Sequence, residues 1–316
     1  MNRFRCLAAG VLAMLVLGLA PAAQAQDKVR VVILPFSESL GAVVADKQGY
    51  FKDEKLDVQF KIIGSGAEAM TLLQAGQVDL AFTNTVSTLQ ALEQGLQATI
   101  VAPGAVVRTK GPDSTFALIA RKGTLKSPKD LEGKVVATNV INSTNWLYDV
   151  IYLEKHGVDR SKVRFVELPF PQMGDALLNN RVDVIGPSEP FRTVLLDNGN
   201  FEAFVEPMVD AQPNGDITQY VAMTSWVQKN PEVANRFARA IRKGNAFAND
   251  PANEARVREI NMQFTNLAPA LKDRVKLPLF GMDVNVGEIR KTMDLLLKYG
   301  VIKTPVDLSG RVMNVK

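Results

Sequence analysis

Small polar side chains at predicted helix starts are the first candidates for chemistry in this sequence. Thr83, Asn84 and Thr85 form one run, and Asn142, Ser143 and Thr144 form another. Each follows an apolar stretch and precedes a helical pattern. Free backbone N–H groups at a helix start attract negative ligand atoms. Ser65 and Gly66 mark a third such start in "GSGAEAM". Phe36 and Ser37 follow the first apolar run, and Ser188 and Glu189 lie in "GPSEPF". Hydroxyls and amides suit an oxyanion, whereas the Glu189 carboxylate would accept bonds from a ligand amine or an aminopyrimidine. The Phe36 ring could stack on a ligand. Catalysis has little material. His156 is the only histidine and Cys6 the only cysteine, so Cys-His chemistry and a His-rich zinc site are excluded. No cofactor and no metal are expected. A carboxylate-only enzyme is possible in principle.

Each candidate also has a structural reading. Ser65 and Glu68 have the spacing of a capping box, which would serve only its own helix. The two polar runs could act as ordinary N-caps. Glu189 could be a solvated acid at a helix start, favourable to the dipole. Phe36 could be core, and packing is the expected role of Trp146 and Tyr148. "GSGAEA" also fits the G-x-G-x-x-A of dinucleotide sites, but it follows the second predicted strand and not the first.

The elements that would position these residues alternate. Strand patterns at "KVRVVIL", "LDVQFKII", "VDLAF" and "ATIVAP" are separated by helical ones. The order restarts with "TFALIARKG" and continues through "KVVATN", "VRFVEL" and "VDVIG". This grammar predicts an α/β fold of two lobes, each a mainly parallel sheet with flanking helices. "MTLLQAGQVDLAFTN" and "MGDALLNNRVDVIGPSEP" repeat one unit: a helix, a Gly or Asn stop, then a short strand opening with Val-Asp. Loops beyond the carboxyl ends of such strands are where ligands sit. After "DITQYVAMTS" the chain reads as helical, without strands of its own.

Residues 1–25 read as a cleavable signal peptide, with Arg3 and Arg5 ahead of an apolar core and "AQA" at its end. No later run is long enough to span a bilayer. Lobe I is expected over 26–113 and 222–316, and lobe II over 114–221, with hinge crossings near 112–116 and 218–225. Arg3 and Arg5 leave with the signal peptide, so the formal charge of +4 falls to +2. That near balance, without a basic block, argues against a nucleic-acid partner.

"ADKQGYFKDEKLDVQF", "GAEAMTLLQAGQVDLAFTNT", "DLEGKVVAT", "LPFPQMGDALLNNRVDVIGPSEPF" and "NPEVANRFARAIRKGNAFANDP" follow one another in an order and spacing that matter more than any one motif. In them the chain resembles the periplasmic solute-binding proteins of ABC importers that take nitrate, alkanesulfonates, taurine and thiamine-pyrimidine precursors. The resemblance implies a type II-like clamshell with two hinge strands. It also implies a periplasmic monomer that captures a small molecule and serves an ABC permease with its ATPase. The solute expected is a small organic anion or zwitterion of the sulfonate or taurine kind. The alternatives are a thiamine-pyrimidine precursor, or a periplasmic enzyme or signalling module on the same fold.

Overall fold

A computed structural model describes residues 26–111 and 115–314. The predicted signal peptide, and part of the first expected crossing, lie outside the described residues.

The first unit runs through β1 (Asp27–Ile33), α1 (Leu40–Lys47), α2 (Tyr50–Asp53), β2 (Leu56–Ile62), α3 (Gly66–Gln74), β3 (Leu80–Asn84), α4 (Thr85–Glu93), β4 (Ala98–Pro103) and β5 (Ala105–Val106). The second comprises β6 (Leu118–Arg121), β7 (Val135–Thr138), α5 (Thr144–Lys155), β8 (Arg164–Glu167), α6 (Phe170–Leu178), β9 (Val184–Ile185), α7 (Phe191–Asp197), β10 (Phe201–Val205) and α8 (Pro207–Ala211). The chain then passes through β11 (Thr218–Met223), α9 (Thr224–Lys229), α10 (Pro231–Asn249), α11 (Glu254–Thr265), β12 (Leu279–Phe280) and α12 (Val286–Lys298).

Two five-stranded sheets result, ordered β2-β1-β3-β11-β4 and β8-β7-β9-β6-β10. They have the same plan. In each, three neighbouring strands are parallel, and the fourth in order is antiparallel to both of its neighbours. That odd strand is the crossing strand: β6 enters the second sheet and β11 returns to the first. The central strands are apolar on both faces because helices cover both, and β4 is buried along its whole length.

Two sequence expectations change here. Thr218–Met223, within the crossing expected near 218–225, pairs in the first sheet, so that sheet takes in residues 218–221 that the expected bounds give to lobe II. Its alternation carried no information about which sheet it would join. The C-terminal segment is not strand-free either, because Leu279–Phe280 pairs with Ala105–Val106. The long helix after Asn230 forms as expected, with Phe237 and Ile241 fully buried. However, the Asn230 amide donates to the Trp226 carbonyl and does not cap the helix.

The repeated unit occupies the central third place in each sheet. Gly76 and Asn180 stop their helices with left-handed backbones, at φ 67° and 54°. The Asp of each Val-Asp then ties the short strand to its neighbour. The Asp79 carboxylate accepts from the Arg30 amide (2.8 Å), and its own amide donates to the Arg30 carbonyl. Asp183 does the same with Val135, at 2.9 Å for the side-chain bond. The most regular feature of the repeat is therefore a device for strand register.

Candidate functional site

A cleft opens between the sheets, beyond the carboxyl ends of their parallel strands. It encloses about 510 Å³, open solvent at its mouth included. Lobe I contributes Leu34, Phe36 and Glu38 after β1, Gly66 at the start of α3, and Phe82, Thr83 and Asn84 at the end of β3. Lobe II contributes Asn139 after β7, Ser143 to Asn145 at the start of α5, Phe170 and Ser188. Ile217 and Thr218 of the returning strand complete it.

Local geometry explains these placements. Thr83 is fully buried, and its hydroxyl donates to the Gly66 carbonyl at 3.1 Å. A Cβ on Gly66 would lie 2.7 Å from Asn84 Nδ2 and 2.8 Å from Thr83 Oγ1. Only glycine lets the start of α3 lie that close to the end of β3. The Asn84 amide oxygen accepts from the Ser87 amide (2.8 Å), capping α4. The same oxygen accepts from the Thr144 hydroxyl of the opposite lobe (3.1 Å). Asn145 Nδ2 donates to Ser188 Oγ at 3.3 Å. Phe36 of lobe I meets Phe170 and Phe191 of lobe II, with ring centroids 5.1 and 6.2 Å away. Ser143 does not cap α5 with its side chain, and its hydroxyl turns to Asn139. The first-turn amides of α5 thus have no side-chain cap at a helix start that faces the cleft.

Of the residues singled out in the sequence, Phe36, Gly66, Thr83, Asn84, Ser143, Thr144 and Ser188 line the cleft. Ser37, Ser65, Thr85, Asn142 and Glu189 do not. Ser65 accepts from the Glu68 amide at 3.2 Å, and Glu68 turns back to the Gly64 amide, so this serine serves the helix. Thr85 is fully buried, its hydroxyl donating to the Asp216 carbonyl just ahead of β11. Asn142 is exposed, in a left-handed turn at φ 59°. Ser37 is buried beside the cleft and gives its amide to the Glu189 carbonyl.

Glu189 lies neither in the cleft lining nor at the surface, which corrects the expectation of a solvated acid at a helix start. It is 0% exposed. Its carboxylate accepts from the Thr193 amide (3.1 Å), the Thr193 hydroxyl (2.9 Å), the Lys276 amide (3.2 Å) and Arg192 (3.4 Å). Burial pushes its pKa up, while Arg192 and these donors pull it down. Ser37 follows β1 and Lys276 precedes β12, so the bonds of Glu189 tie the second unit to segments outside it.

Sequence reasoning missed a different acid. Glu38 follows Ser37 in "LPFSES", lines the cleft and is 6% exposed. Burial pushes its carboxyl up to about 7, with the Glu189 charge adding to the rise. Its backbone amide and Thr115 bond to it and act in the opposite sense. A buried Glu one residue beyond two singled-out positions gave no pattern to detect. Phe82, Asn139, Asn145, Phe170, Ile217 and Thr218 were missed for the same reason.

Among the described residues, no group of three or more His, Cys, Asp or Glu is placed to hold a metal. None of the described helices is long and apolar enough to cross a membrane.

Residues 37–255 match the family model described as NMT1/THI5 like. The chain belongs to this family. It is 25% identical over 238 residues to the formylaminopyrimidine-binding protein of Halalkalibacterium halodurans, covering 75% of this chain and 67% of that one. Among solved structures, the alkanesulfonate-binding protein of Xanthomonas axonopodis pv. citri, bound to MOPS, aligns with a TM-score of 0.76 at 15% identity. That alignment covers 92% of this chain and 99% of the other. The periplasmic nitrate-binding protein of Synechocystis PCC 6803 aligns with a TM-score of 0.68 at 12% identity, over 79% of this chain and 69% of that one. These likenesses establish the two-lobe periplasmic-binding-protein fold.

Proposed function

We propose that this protein is the periplasmic solute-binding component of an ABC importer, and that its solute is a small, flat, nitrogen-bearing ring of the aminopyrimidine kind. The lining of the cleft carries this reading. Among the described residues it combines Phe36, Phe82 and Phe170 with amides, hydroxyls and the carboxyl of Glu38, and includes no Lys or Arg. A sulfonate or nitrate brings a full negative charge. Burying that charge beside a carboxyl, with no cation in the lining, is costly. An uncharged ring can lie against the phenyl groups and divide its donors and acceptors among the polar ones. The uncapped start of α5 favours an acceptor atom on the solute. This same feature is what speaks for the competing sulfonate or taurine reading.

In this reading the protein is not an enzyme and needs no cofactor. Solute touching both walls adds contacts that only the closed form makes, and so shifts the population toward it. A permease with its ATPase would receive the closed form. Residues 1–25 would direct export, leaving a mature monomer without membrane insertion.

The test is mass spectrometry of solute released by denaturing protein purified natively. The expected species is an aminopyrimidine, and recovery of a sulfonate instead would overturn the assignment of the solute.

A further inference from the structure

Among the described residues that line the cleft, Glu38 is the one ionisable side chain. It sits in the short turn Ser37–Ser39 that follows β1, and its Oε2 has no hydrogen-bond partner among the described residues. A buried carboxyl oxygen left without a partner is costly, and because Glu38 lines the cleft a ligand donor or acceptor that reaches this carboxyl would relieve that cost. The polar groups that face the carboxyl are Thr115 and its own backbone amide, and the charge that faces it is Glu189. Glu189 is held by Arg192, whose other nitrogen pairs with Glu206. Arg192 is thus shared by two other carboxylates, and Glu38 has no cationic counterpart in the lining.

We infer that Glu38 reads an amidine-like edge of the solute, a ring nitrogen beside an exocyclic amino group. It does so through a cyclic pair of hydrogen bonds that holds one proton between the carboxyl and the ring nitrogen. The inference rests on the aminopyrimidine reading and goes beyond it, because it names the group that selects the edge and makes capture depend on pH. No covalent bond forms or breaks. The carboxyl O–H donates to the ring nitrogen's lone pair, and the second carboxyl oxygen accepts one amino N–H. With the proton on the ring instead, the same two bonds persist with donor and acceptor exchanged in one of them. A bare carboxylate facing an unprotonated ring nitrogen would set lone pair against lone pair. Burial raises the Glu38 pKa to about 7, so the free protein carries the needed proton below that pH. Above it, binding must draw one proton from solvent, and affinity should fall about tenfold per pH unit.

The experiment is titration calorimetry of the full chain with 4-amino-2-methylpyrimidine from pH 6 to pH 9, in buffers of different ionisation enthalpy. The expected result is uptake of about one proton per ligand bound at pH 8.5 and above, with affinity falling about tenfold between pH 8 and pH 9. Glu38→Gln offers an N–H donor and a carbonyl acceptor in the same place. It should bind within a few-fold of the wild type near pH 7, with no proton uptake and no pH slope between pH 8 and pH 9, where the free ring is unprotonated. Glu38→Ala should lose at least about tenfold, the equivalent of one buried hydrogen bond. A structural role alone would not move the pH profile. A flat profile in the wild type, or a slope that survives in Glu38→Gln, overturns the inference while leaving the aminopyrimidine reading in place. If the wild type binds ethanesulfonate and ignores 4-amino-2-methylpyrimidine at every pH, the reading itself falls and the inference with it.

Discussion

The two copies of the repeated unit share a scaffold and differ at the positions that face the cleft or the opposite lobe. α3 begins at Gly66 and α6 at Phe170, and both residues line the cleft. Glycine lets one backbone come close, whereas phenylalanine supplies an aromatic wall. At the carboxyl ends of the two strands, Asn84 and Ser188 hold equivalent places and both line the cleft. The next residues, Thr85 and Glu189, both turn inward. Thr85 bonds to the Asp216 and Ile217 carbonyls just ahead of the returning strand, but Glu189 is the centre of a buried charged cluster that reaches the other lobe. The stop residues and the Val-Asp pair, which are the parts that repeat, do only structural work. A repeat in sequence thus marks where a site is built, and its departures from repetition mark how each half is used.

The largest expected effect breaks the comparison at Thr85 and Glu189. Removing one partner of a buried ion pair leaves the other charge unsatisfied. Glu189→Ala should therefore lower unfolding free energy by about 3–5 kcal/mol, read by denaturant titration. Thr85→Val removes one hydrogen bond and should cost about 1 kcal/mol. Comparable losses for the two variants would mean that the Glu189 cluster contributes nothing beyond an ordinary hydrogen bond.

A second substitution sharpens the contrast at the helix starts. Gly66→Ala forces Asn84 and Thr83 to shift, at a stability cost of about 1–3 kcal/mol. Because Asn84 also receives the Thr144 hydroxyl, solute affinity should fall as well, by tenfold or more. Gly64→Ala is the control, since a Cβ there meets nothing nearer than 3.7 Å. Equal affinities for the two variants would remove Gly66 from the site.

The smallest effect tests what the units have in common. Asp79→Asn and Asp183→Asn each weaken a charged hydrogen bond to the neighbouring strand's amide. Each should cost about 0.5–1.5 kcal/mol and leave solute affinity unchanged. A marked difference in affinity between them would show that register in one sheet controls the cleft more than in the other.

Much of the fold was legible in the sequence because period, turn residues and capping spacing act over a few neighbours. Alternation of strand and helix, the Gly76 and Asn180 stops and the Ser65 cap are of this kind. The site was legible only in part. Thr83, Asn84, Ser143 and Thr144 could be found because a polar run before a helix is a local pattern. Glu38 could not, since nothing around it in "LPFSES" marks a carboxyl facing a cleft. Glu189 stands in the sequence as a carboxylate open to a ligand amine, but its place is set by Arg192, by Thr193 and by the Lys276 amide from a distant segment.

By itself, then, the sequence determined an α/β chain with two copies of a helix–stop–strand unit, polar helix starts and almost no material for catalysis. These follow from local stereochemistry and composition, which act whatever the rest of the chain does. Only the tertiary structure decided which sheet Thr218–Met223 would join and which of two acids, Glu38 or Glu189, would line the cleft. Those choices depend on strand pairing and burial between residues far apart in the chain, where the cost of an unpaired charge is set by partners that no local pattern contains.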